Sequence, residues 1–486
     1  MKIVYKIKLI VVAIFVVSCN SDEFLDIKPS NSNTPLSFYT SQKQITEGVN
    51  AIYSTNRSLN NGQWRFGEFR SDNTSYQRNN ADRGGASTEE IDEFTMNSDN
   101  GNISGYWSGW YGGVLDCNLV LNNIDNVTFD NDALKNARIG EALFFRSYFY
   151  LNLARSFGDI PFHKLVASSV DDAFREEFTS RIPVNQVYEA ILVDNQKAID
   201  YLPAAWPAAD KGRATKGAAL MLQAKILMTI GRYSEAIPHL RAMESLGYQI
   251  LSNYKQVFDP ANKNHKESVF EIQFDYASGQ ASNFLGQFVP FTSGKDILIF
   301  TSANSRAGLN QPTKDIIDLY PVGDARAAVN IAYNRGQAYV NKYNYAPLAP
   351  GQQNVNFPMF RYADARLMLA ECLAEGNDYQ LGINIINNEI RPRTGLVAPV
   401  TAANKVEALQ KIAIERRLEL AFENHRWFDL VRRGEAVQVM KAHGIKERAL
   451  KPHLTNGLEY ENIRTLLAIP FNQVDQYGYA QNPGWE

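Results

Sequence analysis

A-K-I-L-M-T-I-G-R-Y-S-E-A-I-P-H-L (224–240) and A-E-C-L-A-E-G-N-D-Y-Q-L-G-I-N-I-I (370–386) place the same residue classes at the same intervals. Ala224, Leu227, Gly231, Tyr233, Ala236 and Leu240 are matched by Ala370, Leu373, Asn377, Tyr379, Gly382 and Ile386, with spacings of 3, 4, 2, 3 and 4 in both copies. This is the signature of a tetratricopeptide-like helical hairpin. Small residues let two antiparallel helices approach closely. Gly231 or Asn377 accepts the positive φ that ends the first helix, and the aromatic caps the turn. Two copies this far apart predict a helical-repeat scaffold interrupted by long insertions.

Helical periodicity extends outward from the repeat. Residues 41–57 carry Ile45, Val49, Ile52 and Tyr53 on one face, and 105–125 carry Trp107, Trp110, Tyr111, Val114 and Leu121. Residues 133–157 carry Leu134, Ala142, Phe145, Phe149 and Leu153; in 184–202, Val187, Ile191 and Ile199 precede Pro203. Two stretches break the pattern. Residues 60–104 are rich in Asn, Gly, Asp and Ser, and 247–358 mix short β-like runs, such as V-F-E-I-Q-F (269–274), with Gly, Asn and Pro turns. Insertions of that length are usually functional, so the ligand surface is expected there. The fold class is therefore all-α, about four helix pairs with irregular loop insertions and minor β structure.

The first residues read as a targeting signal. Lys2, Lys6 and Lys8 precede an uncharged apolar run, 9–17, too short to span a bilayer. V-V-S-C (16–19) resembles a lipobox, so residues 1–18 are expected to be a signal peptide and Cys19 the lipidated first residue of the mature chain. Residues 19–37 would form a polar tether leading into one domain, 38–486. The acidic N-S-D-E (20–23) is either a surface-export signal or a solvated linker. Loss of the three lysines takes the formal net charge from −3 to about −6, which gives no footprint for nucleic acid. Cys117 and Cys372 fall in apolar helical patterns and are expected as buried free thiols.

Catalytic signatures are missing. The six histidines form no close pair and no H-E-x-x-H, so no metal site is legible and no cofactor is expected. There is no phosphate loop and no nucleophile elbow. A dispersed pair of carboxylates, all that a glycosidase needs, stays open on composition alone. Glu415, Glu419 and Glu423 are spaced to share one helix face, with Arg416, Arg417, Arg426, Arg432 and Arg433 close by. They are either paired catalytic carboxylates or a structural ion-pair network; the interleaving favours the network.

The ordered motifs of the chain resemble those of the SusD/RagB family of Bacteroidetes nutrient-binding lipoproteins. These are F-L-D-I-K-P (24–29), R-S-D-N (70–73), E-A-L-F-F-R-S-Y-F-Y-L-N-L-A-R-S-F-G-D-I-P (141–161) and R-A-T-K-G-A-A-L (213–220). F-R-Y-A-D-A-R-L-M-L-A-E (360–371), I-R-P-R-T-G-L (390–396), E-R-R-L-E-L-A-F-E-N-H-R-W-F-D-L-V-R-R-G (415–434) and a terminal Q-N-P-G-W (481–485) complete the set, with Trp485 where the family often has Tyr. The resemblance implies a scaffold of four tetratricopeptide-like units. It implies a lipid-anchored protein on the outer face of the outer membrane, a lid over a SusC-like TonB-dependent transporter. The implied ligand is an oligo- or polysaccharide, in some branches a peptide, and the implied role is non-enzymatic. A peptide-binding RagB-like uptake lipoprotein and a surface glycoside hydrolase are the alternatives.

Ligand-binding candidates come from aromatic and amide clusters in the insertions, since an aromatic ring can stack on the apolar face of a pyranose while polar neighbours bind hydroxyls. In the first insertion they are Trp64, read as lying in the polar loop N-N-G-Q-W-R-F, with Arg65, Asn73, Tyr76, Gln77 and Arg78. Trp64 either stacks on a sugar or plugs the loop against the scaffold. In the second they are Tyr276, Asn283, Phe284 and Gln287, then Tyr333 and Tyr339 with Asn334 and Arg335 nearby; loop packing is the competing role for each. Trp107 and Trp110 are expected in the core, Trp427 on the same helix as Glu415, and Trp206 as a loop anchor.

Overall fold

The computed structural model describes residues 38–81, 85–167, 169–300, 307–454 and 457–486. The expectations for the signal peptide, Cys19 and the tether fall outside these residues. Helices dominate: α1 Gln42–Gly67, α2 Gly101–Asn123, α3 Asp132–Phe157, α4 Val184–Tyr201, α5 Lys216–Thr229 and α6 Tyr233–Ala242. After the second insertion come α7 Tyr362–Glu375, α8 Tyr379–Ile385, α9 Lys405–Glu419, α10 Arg426–Arg432 and α11 Ala436–Leu450. Each helix from α2 to α8 packs on its neighbour in the series, and α9 closes on α7 and α8. This is the nearest-neighbour stacking of a helical-repeat scaffold.

The two repeat copies build the same turn. Gly231 takes φ 76° and Asn377 φ 75°. Behind them the Arg232 N–H reaches the Leu227 carbonyl at 2.9 Å, and the Asp378 N–H reaches the Leu373 carbonyl at 2.8 Å. These bonds satisfy carbonyls that a helix end otherwise leaves open. Gly382 shows why a small residue is needed on the second helix: a Cβ there would lie 2.5 Å from the Ala370 carbonyl oxygen.

One hydrophobic cluster runs from Ile45 to Ile469 and includes Trp107, Trp110, Cys117 and Cys372, both cysteines being free thiols. A smaller one, with Phe94, Trp427, Leu430, Met440 and Tyr460, ties the first insertion to α10 and α11. Strand content is minor. Ser268–Ile272 pairs antiparallel with Phe357–Arg361, and Ile331–Asn334 pairs with Gln337–Val340. That hairpin turns on Arg335 and Gly336, both at positive φ, as a two-residue hairpin turn requires.

Two sequence expectations are corrected. Residues 60–67 are not loop but the last turns of α1. Their polar side chains face inward: Asn60 Nδ2 donates to Asn56 Oδ1 at 2.8 Å, Gln63 Nε2 to Asn152 Oδ1 at 2.8 Å, and the Tyr148 hydroxyl to Gln63 Oε1 at 3.0 Å. Buried amides that satisfy one another cost little, yet by composition they imitate a loop. The second correction concerns 415–434. α9 stops at Glu419, Phe422 and Asn424 adopt φ 68° and 67°, and Trp427 sits on the separate helix α10.

Candidate functional site

The acid–arginine motif is interior structure. Arg361 contacts Glu267 at 2.9 Å, Glu419 at 2.6 Å and Glu423 at 2.7 Å. Arg393 reaches Glu267 at 2.6 Å and also Glu419. Arg326 binds Asp324 at 2.8 Å, Glu415 at 2.7 Å and Glu419 at 3.0 Å, and Lys342 binds Glu423 at 2.7 Å. Arg391 adds a contact to Glu415 at 3.4 Å, so five carboxylates meet five cations, all but Arg391 fully buried. Burial alone would raise the Glu419 carboxyl; Arg393, Arg361 and Arg326 overcome it and hold it well below the usual carboxylate range. Burial pulls the Lys342 ammonium down to about 8 in spite of Glu423. The charges of this network are spent on one another in the interior, which is the structural reading of the motif.

R-S-D-N docks onto the segment that follows α9. Asp72 accepts from Arg426 at 2.8 and 3.0 Å and pairs with Arg417 at 3.0 Å. Arg70 lies under Trp427, its guanidinium 4.4 Å from the ring centre, and burial lowers it to about 9. Glu68 is fully buried and accepts from Asn73 Nδ2 (2.7 Å) and from the backbone N–H groups of Phe422 (2.9 Å) and Asn424 (3.1 Å). Burial nevertheless pushes its carboxyl up to about 7.

The structure divides the ligand candidates. Trp64 is 2% exposed, with Phe69 and Phe288 edge-on at 5.4 Å and the half-buried Arg65 guanidinium 4.7 Å from the ring centre. It plugs the second insertion onto α1 and presents no face for stacking. Asn73 is buried, its Oδ1 accepting from Arg417 at 2.7 Å. Tyr76 is buried between Glu93, His453 (2.7 Å) and Lys451, whose ammonium lies 4.2 Å from its ring centre. Phe284 packs at 5.4 Å from both Phe274 and Tyr343, and Tyr339 is buried beside Asn341 and Asn344. These corrections share one cause: the insertions have cores of their own, and aromatic residues supply them.

What remains open is Tyr333 at 61% exposure, Tyr276 at 39%, exposed Asn283, and half-buried Gln287 and Arg78. The two insertions are stitched together. Thr74–Ser75 pairs antiparallel with Gln311–Pro312. The Gln77 N–H donates to the Gly308 carbonyl at 2.7 Å, and its Oε1 accepts from the Phe291 N–H at 3.1 Å. The Leu309 N–H donates to the Gln287 carbonyl at 3.2 Å, and Arg335 donates to the Thr292 carbonyl at 2.9 Å and pairs with Asp296 at 3.1 Å. Arg78, Gln287 and Tyr333 thus ride on cross-linked segments, while Tyr276 lies on a turn bridged between Asp275 and Gln280. Exposed residues of these kinds can offer rings for stacking and amide and guanidinium donors for hydroxyls. Two adjoining clefts, of about 300 and 270 Å3, lie elsewhere and are lined by none of these candidates. Trp206 lines the first of them as the expected loop anchor: its Nε1 donates to the Ala214 carbonyl at 2.7 Å.

Two family models match the chain. One, described as "Starch-binding associating with outer membrane", covers residues 23–228, and the other, the SusD family, covers 325–485. The chain belongs to the SusD/RagB family. Among SusD-like relatives, SusD-like protein P2 of Formosa agariphila is 26% identical over 99% of both chains. A SusD-like protein of Bacteroides ovatus is 26% identical over 89% of this chain and 83% of its own. Among solved SusD-like structures, a laminarin binding SusD-like protein superposes with a TM-score of 0.76 at 25% identity, covering 92% of this chain and 100% of that one. Surface glycan-binding protein A from Bacteroides thetaiotaomicron, in complex with laminarihexaose, gives a TM-score of 0.72 at 19% identity over 91% and 100%, a likeness of fold. The SusD scaffold is accordingly the helical tetratricopeptide-like one described above. No helix among the described residues is long and apolar enough to cross a membrane.

Proposed function

We propose that this SusD-like protein captures an oligo- or polysaccharide at the cell surface and passes it to a SusC-like TonB-dependent transporter, without chemically altering it. The observation that carries the reading is the likeness, over nearly the whole chain, to a laminarin binding SusD-like protein. The side chains left open on the stitched insertions support it: Tyr276 and Tyr333 supply apolar rings, and Asn283, Gln287 and Arg78 supply polar groups. In this reading Cys19 carries lipid that holds the protein on the outer membrane, and residues 19–37 tether the single domain 38–486 beside its transporter. A shallow site of this kind binds weakly, with Kd about 10 μM to 1 mM.

Affinity electrophoresis through gels containing a panel of neutral polysaccharides tests the capture step. Retardation by at least one glycan, with no reducing ends released on prolonged incubation, is the expected result. Release of reducing ends would make the protein a hydrolase. Binding of peptides with no retardation by any glycan would assign it to peptide uptake.

A further inference from the structure

The two clefts away from the insertion face adjoin across Lys211, Gly212, Arg213, Phe270 and Glu271. They lie between α1, the 203–215 loop and the strand Ser268–Ile272, and their size is that of small-ligand sites, roughly 300 Å3 and upward. Their walls are held in place. Trp206 is pinned through its indole N–H, and the Tyr248 hydroxyl lies 3.2 Å from Thr215 Oγ1. The first turn of α5 makes room for that ring: a Cβ on Gly217 would sit 2.2 Å from the Tyr248 oxygen. The floor is a closed amide ladder. Gln273 and Asn264 exchange two hydrogen bonds of 2.9 Å, and Asn356 Nδ2 donates to Gln273 Oε1 at 2.9 Å.

The lining is positive. Arg57, Lys211 and Lys266 all face the clefts, and among the described residues none forms an ion pair. Arg57 uses its Nε–H on the Gln273 carbonyl at 2.8 Å, and Lys266 makes one long contact to Gln249 at 3.4 Å. The acids present are already engaged. Asp210 pairs with Arg213 at 2.7 Å, and Glu271 is buried, accepting from the Asn264 N–H and, at 2.8 Å, from Asn356. Cations gathered along one cleft concentrate their field on whatever enters it, and this occurs in a chain whose formal net charge is −3.

We infer that this cleft is a second saccharide site and takes an anionic oligosaccharide, one bearing carboxylate or sulfate groups, with Trp206 and Tyr248 against the rings and Arg57, Lys211 and Lys266 on the charges. The inference rests on the glycan-capture reading for the sugar backbone; the sign of the ligand's charge follows from the cleft alone.

The test is calorimetric titration of the purified protein with oligogalacturonate as the carboxylate arm and a carrageenan oligosaccharide as the sulfate arm. Laminarihexaose serves as the neutral probe, and each titration is run at low salt and at about 300 mM NaCl. Lys211→Ala with Lys266→Ala is the main variant, because both side chains are exposed and unpaired and their removal spares the fold; Trp206→Ala is the second. At least one anionic probe should bind, weakening about tenfold in the double variant and at the higher salt, with Trp206→Ala also weakening it, while any laminarihexaose binding is unchanged. Absence of binding by both anionic probes at low salt, or equal binding in parent and double variant, would overturn the inference. Loss of neutral-glycan binding alone would count against the insertion-face reading and leave this one standing.

Discussion

Tyr333 and Trp64 are both aromatic residues of the insertion region, and their surroundings give them opposite work. Trp64 fills the space between α1 and Phe288, so Trp64→Ala should destabilise the fold by about 3–5 kcal/mol through the cavity it leaves. A lowered Tm, with any loss of binding explained by the unfolded fraction, is the expected outcome. Tyr276→Ala and Tyr333→Ala remove exposed rings; thermal unfolding should stay within a degree or so of the parent while glycan affinity falls. Glu68 adds a pH signature. Its folded-state pKa, about 7, lies above the ordinary 4.5, so the folded state holds a proton that the unfolded state has released across that window. Its stabilising contribution is therefore present at low pH and lost as pH rises through about 7. Glu68→Gln abolishes this loss. Denaturant titrations should show the variant gaining on the parent between pH 4.5 and about 7; a pH-independent difference would contradict it.

The turn between paired helices was legible because it depends on local backbone demands that residue identity reports. Gly231 and Asn377 occupy the same left-handed conformation. Asn377→Gly should be neutral or mildly stabilising, whereas Gly231→Val should cost about 1–2 kcal/mol, measurable as a shift in urea midpoint at unchanged slope. The helices bearing apolar stripes were legible for the same reason. Where polarity and burial part company the sequence misleads. Asn60 and Gln63 look like loop residues until Tyr148 and Asn152, on α3, are seen to complete their hydrogen bonds. The break after Glu419 was equally hidden, because it serves Glu68, which lies far off in sequence and receives the Phe422 and Asn424 N–H groups. The insertions were expected at 60–104 and 247–358, but 60–67 and 101–104 belong to α1 and α2, and which of the aromatics face outward depends on contacts between the two insertions. Spacing carries no record of those contacts. Lys211 and Lys266 escaped notice because a cleft formed by four separate segments leaves no motif.

Across the whole molecule, ion pairs do what loops of this length cannot do for themselves. Arg361, at the end of the strand that closes the second insertion, is gripped by Glu267, Glu419 and Glu423, while Asp72 fastens the first insertion through Arg417 and Arg426. Glu419→Gln leaves arginine charge buried and under-compensated, and should destabilise the protein by about 3–5 kcal/mol without creating or abolishing any chemistry. Asp72 and Glu419, held below the ordinary carboxylate range by these arginines, contribute stability that is present above pH about 4 and is lost as pH falls toward their folded-state values. Two distant stretches of chain are thereby held together, and Tyr276 and Tyr333 stand exposed on the second of them. The claim that this SusD-like protein captures glycan through those exposed rings is tested most directly by calorimetric titration of the parent and of the Tyr276→Ala/Tyr333→Ala double variant with glycans from the neutral panel, laminarihexaose among them. The account predicts saturable binding by the parent with Kd about 10 μM to 1 mM and a loss of at least about tenfold in a variant that unfolds at the same temperature. Undiminished binding by that variant, or no binding to any glycan by the parent, would contradict it.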